Sequence, residues 1–301
     1  MATCSVCFRK CEIAEGGYGF CGARTCRGGA VVPAGYGIIS GLALDPIEKK
    51  PLYRFHPGSR ILSVGSYGCN LRCPFCQNSD ISWSDEALLH AHGDSAEARA
   101  PWRSQREEYV LATPQELCDA ARYYISHGNI GIAFTYNEPL VGWEFVRDTA
   151  KLVHEAGMKN VLVTNGTARP AILEELAPYI DAMNIDLKGF SEAYYHGTLG
   201  GDLAMVKNFI SRAVQLCHVE LTTLIVPGEN DTEDEMRAIT EWIASLTDAQ
   251  GNEIGRTVPL HISRFFPRFH MTDRPATDVR RIYRLAEVAR ETLEYVYTGN
   301  C

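Results

Sequence analysis

Gly65-Ser-Tyr-Gly-Cys69-Asn-Leu-Arg-Cys73-Pro-Phe-Cys76 is the stretch that decides how this chain is read. It follows directly on the apolar run at residues 61–64, which has the composition of a β-strand. Thiolates crowded on a tight loop bind zinc or an iron–sulfur cluster. Their number separates the possibilities. A closed structural zinc site takes four ligands, and a fully ligated [4Fe–4S] cluster takes four cysteines. Three thiolates on one loop leave one iron without a protein ligand. Such an iron is free to chelate the amino and carboxylate groups of a substrate or cofactor. The alternative is part of a zinc site completed from elsewhere in the chain.

Outward from this loop, apolar β-like runs alternate with amphipathic helical stretches. The runs lie at residues 61–64, 130–135, 160–164, 182–187, 219–226 and 258–265, with a seventh at 295–298. Thr113, Pro114 and Glu116 form a capping-box start with proline at the first helical position. Leu117, Ala120, Ala121, Tyr124 and Ile125 continue that helix as its apolar stripe. Trp143, Val146, Ala150 and Val153 form a second stripe, stopped near Gly157. Leu203, Val206, Ile210, Ala213 and Cys217 form a third, Met236, Ile239, Ile243 and Leu246 a fourth, and Ile282, Leu285, Val288 and Ala289 a last. Strands alternating with helices predict an α/β fold of parallel units, as a doubly wound sheet or a full or partial barrel. In each, the loops at the C-terminal strand ends carry the site. Residues 84–106 are polar and aperiodic, carry His90 and His92, and read as an insertion or lid.

The later strand ends are polar. Glu138 stands just past the second strand, where a carboxylate accepts hydrogen bonds from an ammonium group or favours a helix N-terminus. Thr164 and Asn165 end the third strand as contacts for hydroxyl and carboxylate groups, or as an Asn-Gly turn with Gly166. Asp186 and Lys188 end the fourth and point to one side, as a carboxylate-binding pair or a structural ion pair. On the fifth strand Glu220 and Thr222 share a face, with Glu220 an internal hydrogen-bond anchor or a substrate contact, the anchor favoured, and Thr223 is taken as a cofactor contact. On the sixth, His261 and Ser263 share a face. His261 is read both as a satisfied structural histidine and as a cofactor contact.

With these motifs beside it, the C-x3-C-x2-C triplet resembles the signature of radical S-adenosylmethionine (SAM) enzymes, with Phe75 at the aromatic position before the last cysteine. Asp45-Pro-Ile-Glu-Lys-Lys-Pro51, His56-Pro-Gly-Ser59, Cys76-Gln-Asn78, Thr135-Tyr-Asn-Glu-Pro139 and Tyr297-Thr-Gly-Asn300 narrow the likeness. They are similar to the branch of the pyruvate formate-lyase activating enzyme, and closest to the radical SAM member of the AmmeMemoRadiSam system. The resemblance covers nearly the whole chain. It implies a TIM-like partial barrel of six β/α units, with a [4Fe–4S] cluster on Cys69, Cys73 and Cys76 and SAM bound beside it. It places the SAM adenine on Phe75 and the amino group on Glu138, with Thr164, Asn165, Asp186, Lys188, Thr223 and His261 around the cofactor. The implied activity is that of an oxidoreductase that cleaves SAM reductively to a 5′-deoxyadenosyl radical, which abstracts hydrogen from a substrate. Flavodoxin or ferredoxin is the implied electron donor. The implied substrate is a protein, either a glycyl-radical enzyme or an AmmeMemo-type partner. Two alternatives stand beside it: radical modification of a small molecule or peptide, and a non-catalytic iron–sulfur redox sensor. The chain departs from the family pattern where Tyr136-Asn137 replaces two glycines. It also stops at Cys301, where that branch often continues with further cysteines, so a short variant is expected and Cys301 is a ligand, a relay thiol or an inert end.

Of 11 cysteines, five fall between residues 4 and 26. Cys4-x2-Cys7-x3-Cys11-x9-Cys21 supplies four thiolates in a segment too short and polar to fold on hydrophobicity, and metal binding supplies folding energy in such segments. A zinc knuckle is the first reading and an auxiliary iron–sulfur cluster the second, with free cysteines or a set including Cys26 as further options. The expected division is a Cys-rich metal-binding extension at residues 1–30 and a barrel at 31–301. A net charge of −8 argues against a nucleic-acid surface. The absence of an apolar N-terminal segment or an 18-residue apolar run predicts no export and no membrane span, hence the cytoplasm.

Overall fold

The computed structural model describes residues 1–83, 87–88 and 110–301. The stretch read as an insertion or lid, with His90 and His92, lies outside the described residues except for 87–88.

The main sheet is built from β1 (Gly41–Pro46), β2 (Arg60–Gly65), β3 (Asn129–Thr135), β4 (Lys159–Thr164), β5 (Ala182–Asp186), β6 (His218–Ile225), β7 (Leu260–Arg264) and β8 (Val296–Gly299). Neighbours in the sheet follow the order β8-β7-β6-β5-β4-β3-β2-β1. Strands β2 to β8 pair in parallel, and β1 adds to β2 antiparallel. Each of β2 to β7 is followed by a helix: α1 (Pro114–Tyr123), α2 (Trp143–Glu155), α3 (Pro170–Leu176), α4 (Leu203–Ala213), α5 (Glu233–Ala244) and α6 (Val279–Arg290). Strands β1 and β8 stand at opposite edges, so the sheet curves without closing. This is the partial barrel of six β/α units that the motifs implied.

The strands form as expected for a sheet covered on both faces, with near-continuous apolar runs. Alternation then divides each strand. On β6, Leu221, Thr223 and Ile225 face the helical layer, and Glu220, Thr222 and Leu224 face the barrel interior. The interior bottom is filled by the segment after β1. Ile47 and Leu52 are fully buried against Ile61, Ala133, Val161 and Ala182. The small alanines on β3 and β5 leave room for that plug.

Strand β2 carries a register shift against β3 between Arg60 and Leu62. Asn129 repairs it: its Oδ1 accepts from the Leu62 N–H at 2.8 Å and its Nδ2 donates to the Ala121 carbonyl at 2.8 Å. Helix α1 starts with the full capping box, Thr113 Oγ1 accepting from the Glu116 N–H and Glu116 accepting from the Thr113 N–H.

The N-terminal segment has secondary structure of its own. Ala2–Thr3 pairs with Glu12–Ile13, and Arg24–Arg27 forms a hairpin with Ala30–Pro33. The hairpin runs across the expected boundary at residue 30. The segment does not stand apart: Cys4, Val6, Ile13 and Cys26 share one core with the barrel helices. The buried Arg24 guanidinium grips Glu144 on α2 with both terminal nitrogens, at 2.5 and 2.7 Å.

Candidate functional site

The loop after β2 rises over the C-terminal end of the sheet. Its conformation depends on Gly68, which has φ +94° and lies so close to the N-terminal segment that a Cβ would sit 2.6 Å from the Cys21 carbonyl oxygen. Asn137, past the end of β3, pins the approach to the cysteines. Its Oδ1 accepts from the Ser66 N–H at 3.0 Å and its Nδ2 donates to the Gly68 carbonyl at 2.9 Å. Here lies the physical reason a side chain replaces the second glycine of the family pattern. Tyr136, in place of the first, takes the left-handed φ of 75° that costs a non-glycine residue about 1–3 kcal/mol. Its hydroxyl donates to Asp45 Oδ2 at 2.8 Å, and the Lys50 ammonium lies 4.6 Å from its ring centre while also bonding Asp45 at 2.8 Å. The three side chains hold the strained backbone from β1 across to β3.

Cys69, Cys73, Cys76 and Phe75 all line one open cleft of about 1150 Å³ of empty space at this end of the barrel. The same cleft is lined by Glu138, Thr164, Asn165, Asp186 and Lys188. Thus the strand-end residues singled out from β3, β4 and β5 converge on the cysteine loop. Burial pushes the Cys69 thiol up and the Cys73 thiol to about 11, so both favour the protonated form until a cation is bound. Phe75 is buried and meets Phe265 edge-on, with ring centres 6.1 Å apart.

Glu138 is the most informative member. It is only 3% exposed. Thr164 Oγ1 at 2.7 Å and the Leu140 N–H at 3.0 Å donate to Oε1, and the Asn165 N–H at 2.7 Å donates to Oε2. Every one of these donors is neutral, and among the described residues no cation pairs with it. Burial therefore raises its carboxyl to about 7 against the pull of these donors. A buried carboxylate facing a cleft without a counter-ion is a receptor for a cationic group. Asn165 ties it to the cysteine loop, its Nδ2 donating to Asn70 Oδ1 at 2.9 Å and pointing at Cys69 Sγ at 3.7 Å.

In the same cleft Lys188 Nζ bonds Asp186 Oδ2 at 2.7 Å. Burial alone would discharge this lysine, and Asp186 outweighs it, holding the ammonium charged. The charged ammonium lines the same cleft as Glu138. A cofactor with an ammonium and a carboxylate meets complementary groups there. Three thiols without a fourth, beside that pair, fit a cluster with one open iron, and the residues present suit the [4Fe–4S] cluster and SAM together.

Two expected contacts fall elsewhere. Thr223 faces the helical layer, where its hydroxyl donates to the Leu187 carbonyl at 2.7 Å, and its neighbour Thr222 lines the cleft. The strand's phase is set by Glu220 pointing inward. His261 lies below the cleft, bonded to Glu220 Oε2 at 2.6 Å and stacked on Tyr297. Glu220 also accepts from His218 and from the N–H groups of Tyr53 and Arg54. Those bonds outweigh its burial and bring its carboxyl down to about 2. Sequence reading missed Lys49, Lys50 and Tyr136 as lining residues. The quoted Asp45–Pro51 motif signalled the two lysines, and the Thr135–Pro139 motif signalled Tyr136. Ser263 and Asn300 close another side of the cleft, joined at 3.1 Å.

A model of the radical SAM superfamily matches residues 63–243. An uncharacterized protein of Methanocaldococcus jannaschii is 38% identical over 299 residues, covering 99% of this chain and 80% of that protein. The pyruvate formate-lyase 1-activating enzyme of Escherichia coli is 23% identical over 211 residues, covering 68% of this chain and 75% of that enzyme. The crystal structure of Streptococcus suis SuiB bound to S-adenosylmethionine superposes with a TM-score of 0.56 at 12% identity, over 80% of this chain and 52% of that one, a likeness of fold.

Proposed function

The chain belongs to the radical SAM superfamily, and from that premise we propose that it cleaves SAM reductively and takes a hydrogen atom from a protein substrate. When bound, a [4Fe–4S] cluster on Cys69, Cys73 and Cys76 supplies the electron that splits SAM into methionine and a 5′-deoxyadenosyl radical. The chain's own residues bind and orient. Glu138 accepts the SAM ammonium, Lys188 takes its carboxylate with Asp186 fixing the lysine's direction, and Thr164 and Asn165 hold Glu138 in place. Phe75 forms an apolar wall for the adenine.

The observation that carries this reading is the buried Glu138 carboxylate, which no cation pairs among the described residues, in the same cleft as the three thiols. Membership in a family of enzymes sets aside the non-catalytic redox sensor. The relation to pyruvate formate-lyase activating enzymes supports a protein as the hydrogen donor and flavodoxin or ferredoxin as the electron donor. The test is deuterium transfer. With SAM and a low-potential reductant under anaerobic conditions, a deuterated protein substrate delivers its label to 5′-deoxyadenosine and acquires a radical detectable by electron paramagnetic resonance. Label arriving only from small molecules or peptides would overturn the protein-substrate part.

A further inference from the structure

The four N-terminal thiols form a second feature outside the cleft. Cys4, Cys7, Cys11 and Cys21 line one small cavity, together with Arg9 and Asn70. The fifth cysteine of the segment is kept out, since the Cys26 thiol donates to Glu15 at 3.5 Å. Cys4, Cys7 and Cys21 are buried and Cys11 is half-buried. Backbone N–H groups already point at the sulfurs: Phe20 at Cys11 at 3.5 Å, Arg9 at Cys7 and Ala23 at Cys21.

The spacing distinguishes what the thiols hold. Four sulfurs on one zinc at 2.3 Å are drawn to about 3.8 Å of one another. Among the described residues, no three His, Cys, Asp or Glu side chains stand where they could hold a single metal ion. That holds equally for Cys69, Cys73 and Cys76, whose motif belongs to a cluster-binding family. The N-terminal thiols thus share with the cleft triplet a spacing wider than one ion takes, around a pocket they line together.

The pocket also adjoins the cleft. Asn70, next to Cys69, hydrogen-bonds the Cys7 thiol with its side chain and accepts from Asn165, whose amide points at Cys69 Sγ. Arg72 donates to the Cys69 carbonyl at 2.8 Å and to the Phe20 carbonyl at 2.5 Å. Gly68 lies against the Cys21 carbonyl.

We infer that Cys4, Cys7, Cys11 and Cys21 ligate a fully coordinated [4Fe–4S] cluster that relays single electrons to the group on Cys69, Cys73 and Cys76; the relay half rests on the function proposed above. One electron from a reduced flavodoxin- or ferredoxin-type protein reduces the N-terminal cluster. The same electron then leaves it, reoxidising it and reducing the cluster in the cleft. No protein bond forms or breaks.

The ligand half is tested on the full chain carrying Cys69→Ala, Cys73→Ala and Cys76→Ala, reconstituted anaerobically with ferrous iron and sulfide. About four iron and four sulfide per chain are expected, with a dithionite-reduced paramagnetic signal that SAM does not alter. One zinc per chain without acid-labile sulfide, or no metal, overturns the assignment. The triple variant lacks the cleft ligands, so this result is independent of SAM chemistry. The relay half is read in a Cys7→Ser variant, by freeze-quenching the reduction of the cleft cluster. Reduction by photoreduced flavodoxin slows several-fold, while reduction by dithionite keeps its extent and the SAM-dependent signal remains. An unchanged flavodoxin rate overturns the relay, and a cleft cluster that forms but cleaves no SAM overturns the proposed function alone.

Discussion

At the scale of single residues, two buried glutamates show how environment assigns a role. Glu138 receives only neutral donors, and burial lifts its carboxyl to about 7. The sign follows from linkage. Between the ordinary carboxyl value and about 7 the folded state holds a proton that the unfolded chain has lost, so stability falls as pH rises through that window. Glu138→Gln keeps the shape and removes the charge. Urea unfolding is expected to show the parent losing about 1–3 kcal/mol between pH 5 and pH 8 beyond any loss in the variant, whose amide cannot ionise and whose NH2 leaves one of the three donors unmet at every pH. SAM affinity falls about tenfold or more in the variant with the loss of a charge-assisted bond. A variant that binds SAM as well as the parent contradicts the ammonium assignment. Glu220 is the reverse case, a carboxylate satisfied on every side. Glu220→Ala is expected to cost about 3–5 kcal/mol in urea unfolding, since it removes a fully buried acceptor from two N–H groups and two histidines. A loss under about 1 kcal/mol contradicts its role as the anchor of the barrel floor.

At the scale of elements, the parallel strands were legible because strands covered on both faces must be continuously apolar. The run at residues 160–164 is β4 with Lys159 added, and the run at 182–187 is β5 with Leu187 removed. Strand β1 was not read, because Gly41-Leu-Ala-Leu-Asp-Pro46 at a sheet edge carries a glycine, a proline and no core-like run. Helix α3 was missed for its length, as Pro170–Leu176 is too short to display a helical period. Alternation put Glu220 and Thr222 on one face, but which face looks inward is set by tertiary packing, and so Thr223 was assigned to the wrong side. The Asp45–Lys50–Tyr136 group joins residues 91 positions apart, beyond any local pattern. Asn129 gives a test at this scale. Asn129→Ala removes the repair of the β2–β3 irregularity and is expected to cost about 2–4 kcal/mol in chemical unfolding. The cluster spectrum of the reconstituted variant stays unchanged, because Asn129 lies at the far end of β3 from the cysteine loop. A shifted spectrum contradicts that separation.

At the scale of the whole molecule, the open sheet explains where the chemistry sits. Strand ends from β3, β4 and β5 deliver an acid, two short polar side chains and a lysine to one rim, and the loop after β2 delivers three thiols to the same rim. The N-terminal segment packs into the barrel core instead of hanging from it. Among the described residues no helix is long and apolar enough to cross a membrane. The cysteine spacing made the loop legible, whereas the partnering of each strand-end residue required the fold. The central claim is that the three-thiol loop and the cleft beside it cleave SAM by one-electron reduction. The direct measurement is product formation by anaerobically reconstituted protein given dithionite and SAM, with a Cys73→Ala variant alongside. The parent should yield 5′-deoxyadenosine and methionine in equal amounts and the variant neither. A loaded parent that releases no 5′-deoxyadenosine, or a variant that still does, would contradict the account.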